Sequence, residues 1–306
     1  MTALALDCFA RELVDIAVVE TGLGGRLDAT NVLSPCLTIT THISRDHTEI
    51  LGSTIGKIAW EKAGIVKPAV PHLIGRLPRE AVKVMCDMCQ KQKAPLQQLR
   101  LADYRTDRER FRLDFSGQTF RMNKVALSLC GEHQMQNGAL VLKAVDILNQ
   151  NGMMFRRSSI RKGLTEVEWP GRFQILARNG KPTVVLDVCH NASGAQTFAA
   201  TFARRFPGRT LSIILGLVKR KEHQLIVDAL APIASDFSLV PLKTRRSVDL
   251  DELISCLNWS GVPVRKYGRL STAYSHLVKS ARADDYIGMV GSHYLVGEFL
   301  RSCTDR

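Results

Sequence analysis

Short apolar runs without polar alternation recur along this chain, and most are followed by a longer stretch of helical periodicity. The runs predict strands at Ile16–Glu20, Leu37–Thr41, His72–Gly75, Thr183–Val188, Leu211–Leu215, Phe237–Pro241 and Tyr286–Val290. The periodic stretches predict helices at Ser53–Gly64, Pro78–Gln92, His133–Asn149, Gly194–Phe206, Glu222–Ala231, Asp249–Leu257, Ser271–Arg282 and His293–Arg301, after an opening helix from Met1 to Ala10. A strand that is apolar throughout suits a sheet covered on both faces, so the pattern predicts an α/β fold with mostly parallel sheets. Phe111–Phe115 and Thr119–Met122 read instead as a hairpin about Ser116-Gly117. Trp169-Pro170-Gly171 is the strongest break, because Pro and Gly end helical stretches. It divides the chain into residues 1–170 and 171–306.

The composition supports a core in each part. The chain has 306 residues, 45% of them hydrophobic, which excludes a disordered chain, a collagen-like chain and a small disulfide scaffold. No apolar run approaches the roughly 18 residues of a membrane span. The formal charge of +13 is spread out, +5 in residues 1–170 and +8 in 171–306. Short clusters such as Lys219-Arg220-Lys221 and Lys243-Thr244-Arg245-Arg246 read as solvated faces. Such a charge suits nucleic acid, an anionic surface, or phosphate- and carboxylate-bearing small molecules. With aromatics at 6% and no zinc module or RNA-recognition signature, neither a nucleic-acid nor a membrane partner is expected. Of the eight cysteines, only Cys86-Asp87-Met88-Cys89 has metal or redox spacing, and it lacks a second pair. The scattered thiols and the absence of a signal-peptide pattern at Met1 predict a reducing cytoplasm.

Three constellations carry chemistry. Glu20-Thr21-Gly22-Leu23-Gly24-Gly25-Arg26-Leu27-Asp28-Ala29-Thr30-Asn31 follows a predicted strand. Its glycines let backbone approach a ligand and expose N–H groups to anions, where ligands of α/β sheets sit. It is neither a Walker loop nor G-x-G-x-x-G. Asp46-His47 lies in the loop after the Leu37–Thr41 run, and Lys62 lies near the end of the next helix. Lys62 reads either as a C-terminal helix charge or as a buried lysine with special chemistry. Asp187-Val188-Cys189-His190-Asn191 ends a strand and opens a helix, as a local turn and cap or as a nucleotide contact.

Together these stretches resemble one family. VDIAVVETGLGGRLDATN (14–31), DHTEILGSTIGKIAWEKAGIVK (46–67), GEHQMQN (131–137), WPGRF (169–173), DVCHN (187–191) and GSHYLVG (291–297) occur in that order. They look like the folylpolyglutamate synthase/dihydrofolate synthase family of the Mur ligase superfamily. The resemblance implies a Mur ligase central ATP- and pteroate-binding domain of P-loop ATPase type at 1–170, and a smaller Rossmann-like glutamate ligase domain at 171–306.

The implied activity is ATP-dependent, ADP-forming amide ligation in folate biosynthesis. A dihydropteroate or folate carboxylate takes the γ-phosphoryl group to give an acyl phosphate, which the amine of L-glutamate attacks. By position, Glu20 and His47 become Mg²⁺ ligands, although Mg²⁺ ordinarily prefers oxygen. Lys62 becomes a carbamylated lysine, a modification that requires a neutral amine. Leu27, Asp28 and Ala29 would contact the pterin. Asn137, Arg172 and Asp187 would bind ATP, with His190 beside them as a catalytic group. The expected state is a cytoplasmic monomer whose partners are ATP, dihydropteroate or folates, and L-glutamate. The sequence departs from the family in holding no G-x-x-x-x-G-K-[ST] loop. Met1 therefore reads as an internal methionine of a longer enzyme, and the chain by itself as an impaired catalyst or a nucleotide- and folate-binding fragment. Cys189 and Ala192 stand where the family commonly has Ala and Pro.

Overall fold

The computed structural model describes residues 1–177, 179–219 and 221–304, so Arg220 of the basic cluster lies outside the described residues. The chain divides into two compact units. The first comprises Met1–Arg105, Asp114–Asn123 and Gln136–Ile160, and the second Thr106–Leu113, Lys124–Met135 and Arg161–Arg306.

The first unit begins with α1 (Thr2–Arg11), β1 (Thr38–Thr40), α2 (Thr48–Leu51), α3 (Ile55–Ala63), β2 (His72–Ile74), α4 (Arg79–Lys91) and β3 (Leu96–Gln98). The strands pair in parallel in the order β1-β2-β3, Thr38 opposite His72 and His72 opposite Leu96. Thr54 starts α3 by accepting the Lys57 N–H on its hydroxyl at 3.2 Å. Ile58, Ala59 and Ala63 of α3 and Ala81 and Met85 of α4 share one core with Ile43, Leu51 and Ile74. His72 is wholly buried beside the Thr38 hydroxyl at 2.8 Å and the Thr40 hydroxyl at 3.3 Å. Burial pushes its pKa down to about 4, so it sits in the sheet as a neutral polar bridge.

One predicted strand does not form. Ile16–Glu20 pairs with no strand among the described residues, and Ile16, Val18 and Val19 are exposed, Val18 by 94%. Apolar side chains alone do not make a strand; without a ladder partner the backbone groups remain hydrated and the segment stays irregular.

A further sheet orders β4 (Tyr104–Asp107), β5 (Arg112–Ser116) and β6 (Arg121–Ala126) consecutively. The expected turn is present: Gly117 N–H donates to Phe120 O at 3.0 Å. Buried Asp146, on α5 (Glu132–Gln150), accepts the N–H groups of Gln118 and Thr119 at 3.0 and 2.7 Å, fixing that turn from outside the hairpin. A helix not read from the sequence, α6 (Arg157–Thr165), follows.

The second unit holds β7 (Gln174–Leu176), β8 (Thr183–Asp187), α7 (Ala192–Arg205), β9 (Leu211–Leu215), α8 (His223–Leu230), β10 (Ala234–Leu239), α9 (Leu250–Leu257), β11 (Val264–Lys266), α10 (Leu270–Ser280), β12 (Tyr286–Val290) and α11 (His293–Thr304). The sheet order is β11-β10-β9-β12-β8-β7, parallel except for β7. Successive residues point to opposite faces: Val185, Ile213 and Phe237 pack with α7, α8 and α9, and Val184, Leu186 and Ile214 with α10 and α11. Helices on both faces explain why β8, β9 and β12 are predominantly apolar. Between β8 and β9, Phe198 and Phe202 of α7 are almost wholly buried, the Phe198 ring tilted against that of Phe173 with centroids 5.6 Å apart.

Phe198→Ala is expected to lower the stability of this unit by about 3–5 kcal/mol, the usual cost of emptying a phenylalanine site. Urea unfolding followed by circular dichroism measures it.

Candidate functional site

In the first unit the glycine-rich stretch is fastened to the carboxyl end of α3. Arg26 N–H donates to Glu61 O at 2.8 Å, and its guanidinium forks onto the Glu61 carboxylate at 3.0 and 3.2 Å. The same guanidinium lies 4.5 Å from the centre of the Trp60 ring. Asn31 adds an Nδ2 bond to Gly64 O at 3.1 Å, and Lys67 Nζ donates to Asn31 O at 2.6 Å. Glycines permit this approach. A Cβ on Gly64 would lie 2.4 Å from Arg26 Cα, and one on Gly25 3.0 Å from Glu61 O. Gly24 takes the left-handed φ of 69°.

Asp28 shapes the loop from within. Its Oδ2 accepts the N–H groups of Gly22 and Leu23 at 2.9 and 3.0 Å, and its Oδ1 accepts from the Thr30 hydroxyl and N–H at 2.6 and 2.9 Å. The Thr30 hydroxyl bond and the backbone donors hold its pKa at about 2, below the ordinary 3.8.

Fastened this way, Thr21–Gly24 forms one wall of a cleft of about 200 Å³, with His42, Ser44, Asp46, His47, Leu51, Ile58 and Lys62 completing it. His42 to His47 follow the carboxyl end of β1, the place where parallel sheets bind ligands. His47 adopts the left-handed region (φ 51°) to begin α2, and its N–H donates to Asp46 Oδ1 at 2.9 Å. Partial burial lowers the pKa of His42. Among the described residues, no three His, Cys, Asp or Glu side chains converge as a closed metal cage. The cleft offers a partial donor set, the Asp46 carboxylate, the His47 imidazole and the Thr21 and Ser44 hydroxyls. That suits an ion arriving with water and phosphate ligands of its own, as Mg²⁺ commonly does.

The second unit carries a separate constellation. Asp187 ends β8, and its two oxygens accept the Phe173 N–H at 2.9 Å and the Cys189 N–H at 2.8 Å. Burial raises its pKa, opposed by those N–H groups and by the Arg172 guanidinium. Gly171, at φ 77°, packs against Val188 and Val296, and its carbonyl accepts the Val188 N–H at 2.9 Å. This docking aims the neighbouring Arg172 at the end of β8. Asn191 caps α7 by accepting the Gly194 N–H at 2.8 Å. His190 sits within it, its Nδ1 3.3 Å from Val188 O and its ring 5.9 Å from that of His293.

The sequence-derived residues therefore fall into two groups. His47 and Lys62 share the first unit's cleft, with Thr21–Gly24 beside them. Glu20 is exposed and is not part of the cleft wall. Leu27 and Ala29 are exposed, while Asp28 turns its carboxylate into the loop. Asn137, on α5, belongs to the first unit; Arg172, Asp187 and His190 belong to the second. Sequence reasoning missed His42 and Ser44, whose signal was their place just after a strand. It also missed His133 and His293, whose signal was their place inside two of the quoted stretches. No described helix is long and apolar enough to cross a membrane.

The family model of the Mur ligase glutamate ligase domain matches residues 171–293. The chain is 36% identical over 240 residues to the dihydrofolate synthase/folylpolyglutamate synthase of Bacillus subtilis, covering 76% of this chain and 55% of that protein. It thus spans about half the length of the curated relatives it matches first. Its fold is similar to that of Mycobacterium tuberculosis folylpolyglutamate synthase complexed with ADP and AMPPCP, with TM-score 0.88 and 30% identity over 100% of this chain and 72% of that one. It is also similar to Escherichia coli FolC in complex with DHPP and ADP, with TM-score 0.86 and 27% identity over 99% and 69% of the two chains.

Two outcomes test the loop geometry. Gly64→Ala is expected to cost about 1–3 kcal/mol, because its Cβ meets backbone rather than a movable side chain; the thermal midpoint reads this. Asp28 has a depressed folded pKa, so its contribution is complete above the ordinary 3.8 and fades as pH falls toward about 2. The stability gap between the wild type and Asp28→Asn should accordingly be largest near neutral pH and narrow between pH 4 and 2 in urea titrations.

Proposed function

The chain belongs to the folylpolyglutamate synthase/dihydrofolate synthase family of Mur ligases, and on that premise we propose that it serves the ATP-dependent joining of L-glutamate to dihydropteroate or to the γ-carboxylate of folates. The observation that carries this reading is the first unit's cleft, where the glycine-rich loop, His47 and Lys62 line one cavity. In the proposed reaction a substrate carboxylate oxygen attacks the γ-phosphorus of ATP, and ADP leaves with the bridging oxygen. The amine of glutamate attacks the resulting acyl phosphate, loses a proton, and expels inorganic phosphate to leave the amide.

Loop N–H groups and Lys62 would set the anionic groups in place, and carbamylation of Lys62 would convert it into a carboxylate facing the same cavity. His47, with Glu20 at the loop's entry, would hold Mg²⁺, which supplies neutralisation of the phosphate charge when bound. Leu27–Ala29 would bound the pterin. Asn137, Arg172 and Asp187 would hold the nucleotide, with His190 beside them. Residues 1–170 would then serve ATP and pteroate, and residues 171–306 glutamate. Unpaired thiols such as Cys8, Cys36 and Cys86 accord with a reducing cytoplasm, where we place the protein as a monomer.

These 306 residues contain no G-x-x-x-x-G-K-[ST] loop. We therefore propose that the chain by itself binds nucleotide and folate while transferring phosphoryl groups poorly or not at all. Calorimetry with ADP and an assay of glutamate incorporation test the two halves. ADP binding is expected, weakened about tenfold or more by Arg172→Ala, the usual loss of a hydrogen bond to a charged group. Efficient ATP- and Mg²⁺-dependent incorporation would overturn the second half, and absence of any nucleotide binding would overturn the first.

A further inference from the structure

Two basic stretches far apart in sequence meet at the carboxyl rim of the second unit's sheet. Leu217–Lys219 follows β9, and Leu242–Ser247 follows β10, the neighbouring parallel strand. An isolated antiparallel bridge joins them, Val218 opposite Ser247. Lys219 N–H donates to Arg246 O at 2.8 Å, and Val248 N–H donates to Leu217 O at 3.1 Å. His223 locks the bridge from behind: its buried ring sets Nε2 2.9 Å from Val218 O and Nδ1 2.7 Å from Glu252 Oε1 on α9. Within the second loop the Ser247 hydroxyl accepts the Leu242 N–H at 3.0 Å, and Ser247 N–H donates to Thr244 O at 3.0 Å. The backbone that carries these basic side chains is therefore fastened at several points.

Charge is unevenly committed along this rim. Glu252 is taken by His223, Glu298 pairs with Lys243 at 3.0 Å, Asp251 pairs with Lys266, and Asp249 caps α9 by accepting the Asp251 N–H. Lys219, Arg245 and Arg246 are exposed, and among the described residues none of the three side chains has an ion pair or a hydrogen bond. The nearby carboxylates thus serve the frame, and the cations remain for solvent. Like charges gathered on a fixed frame repel one another, and an anion lying across them relieves that repulsion.

We propose that Lys219, Arg245 and Arg246 form a surface for a γ-linked glutamyl chain, so that the protein lengthens tails on folates already bearing glutamate rather than making the first addition to dihydropteroate. Resting on the glutamate-joining reading above, this assignment chooses between the two substrate classes that reading leaves open. Each γ-linked addition leaves one more α-carboxylate, so a tail is a string of anions, whereas dihydropteroate has a single carboxylate. The spacing suits a tail. Strands β8, β12, β9 and β10 are consecutive in the sheet, which puts the two basic loops about 10 and 14 Å along the rim from the end of β8. An extended γ-glutamyl unit covers about 6 Å, so two or three units reach from one to the other. A nucleic acid would call for aromatic rings to stack its bases, and neither loop contains one.

Calorimetry on the full 306-residue chain at low ionic strength tests this, with γ-linked tetraglutamate, α-linked tetraglutamate, L-glutamate, a short single-stranded oligonucleotide and ADP as probes. The wild type is expected to bind γ-linked tetraglutamate about tenfold more tightly than L-glutamate, the sum of three modest exposed ion pairs. That preference should shrink as salt is raised. Replacing both arginines, Arg245→Gln with Arg246→Gln, should abolish it, and Arg245→Lys with Arg246→Lys should keep it. An unshifted thermal midpoint in both double variants shows that the fold is intact. Pteroyltetraglutamate should likewise bind more tightly than dihydropteroate, and the reverse order overturns the choice of substrate. Equal affinity of the wild type for γ-linked tetraglutamate and L-glutamate, or a preference that survives the glutamine double variant, overturns the inference while leaving the glutamate-joining reading standing. Tighter binding of the α-linked peptide would make the surface one for acidic proteins, and tighter binding of the oligonucleotide one for nucleic acid; either overturns the γ-glutamyl assignment. A wild-type chain that prefers γ-linked tetraglutamate but binds no ADP supports the surface and overturns the nucleotide reading.

Discussion

The first unit's cleft depends on one joint, the seating of Arg26 on the last turn of α3. The backbone N–H takes up the Glu61 carbonyl at 2.8 Å, which within the helix end the Gly64 N–H reaches at 3.4 Å. The guanidinium takes the Glu61 carboxylate in a two-point fork and covers Trp60. Geometry makes the joint exacting, because Gly25 and Gly64 must both lack a Cβ for the backbones to meet. Once it is made, Gly22–Gly24 stands opposite Lys62 without any further adjustment. Asp28 then draws four donors around its carboxylate and prevents the loop from uncoiling.

The second unit reaches the same end by a different route. Helices cover both faces of its sheet, so most residues of the central strands are apolar up to their carboxyl ends. There the chain turns polar, at Asp187 closing β8 and at Ser292-His293 after β12. Parallel pairing brings these ends together, so residues more than a hundred positions apart in sequence become neighbours without any loop having to reach for them. Asp187 illustrates the consequence. Its carboxylate accepts the Cys189 N–H of its own turn and the Phe173 N–H of a segment fourteen residues earlier, which ties the backbone beside Arg172 to the end of β8.

Much of this was legible in the sequence because two-sided burial leaves a plain record. Leu211–Leu215 and Tyr286–Val290 were predicted with the bounds observed, and both are covered on each face. The strands that went unread, Leu96–Gln98, Tyr104–Asp107, Gln174–Leu176 and Val264–Lys266, are three or four residues long and lie at sheet edges, where most side chains are only partly buried and periodicity has no room to show. The roles of Arg26, Asn31 and Asp146 were equally hidden. Each acts across a distance in sequence, Arg26 on Glu61 and Asn31 and Asp146 on backbone groups, and a backbone partner has no letter in the sequence. His47 and Lys62 were legible as chemistry-bearing residues; that they face one cavity follows only from the joint at Glu61.

Ile16–Glu20 shows where pattern and structure part, and it bears on the site. The run has a strand's composition, but a strand is a property of two segments, and none of the described residues supplies the second. The glycine-rich loop is consequently held from one side. Everything after Gly22 is tied down through Arg26, Asp28 and Asn31, whereas everything before Thr21 is tied to nothing comparable. Glu20 lies on the untied side, one residue short of the cleft wall that begins at Thr21. Whether its carboxylate joins His47 is therefore governed less by its own chemistry than by pairing of Ile16–Val19. A ladder along that run would set alternate side chains to opposite faces and fix the direction in which residue 20 points. The position of the Glu20 carboxylate is in this way subordinate to backbone hydrogen bonds several residues upstream.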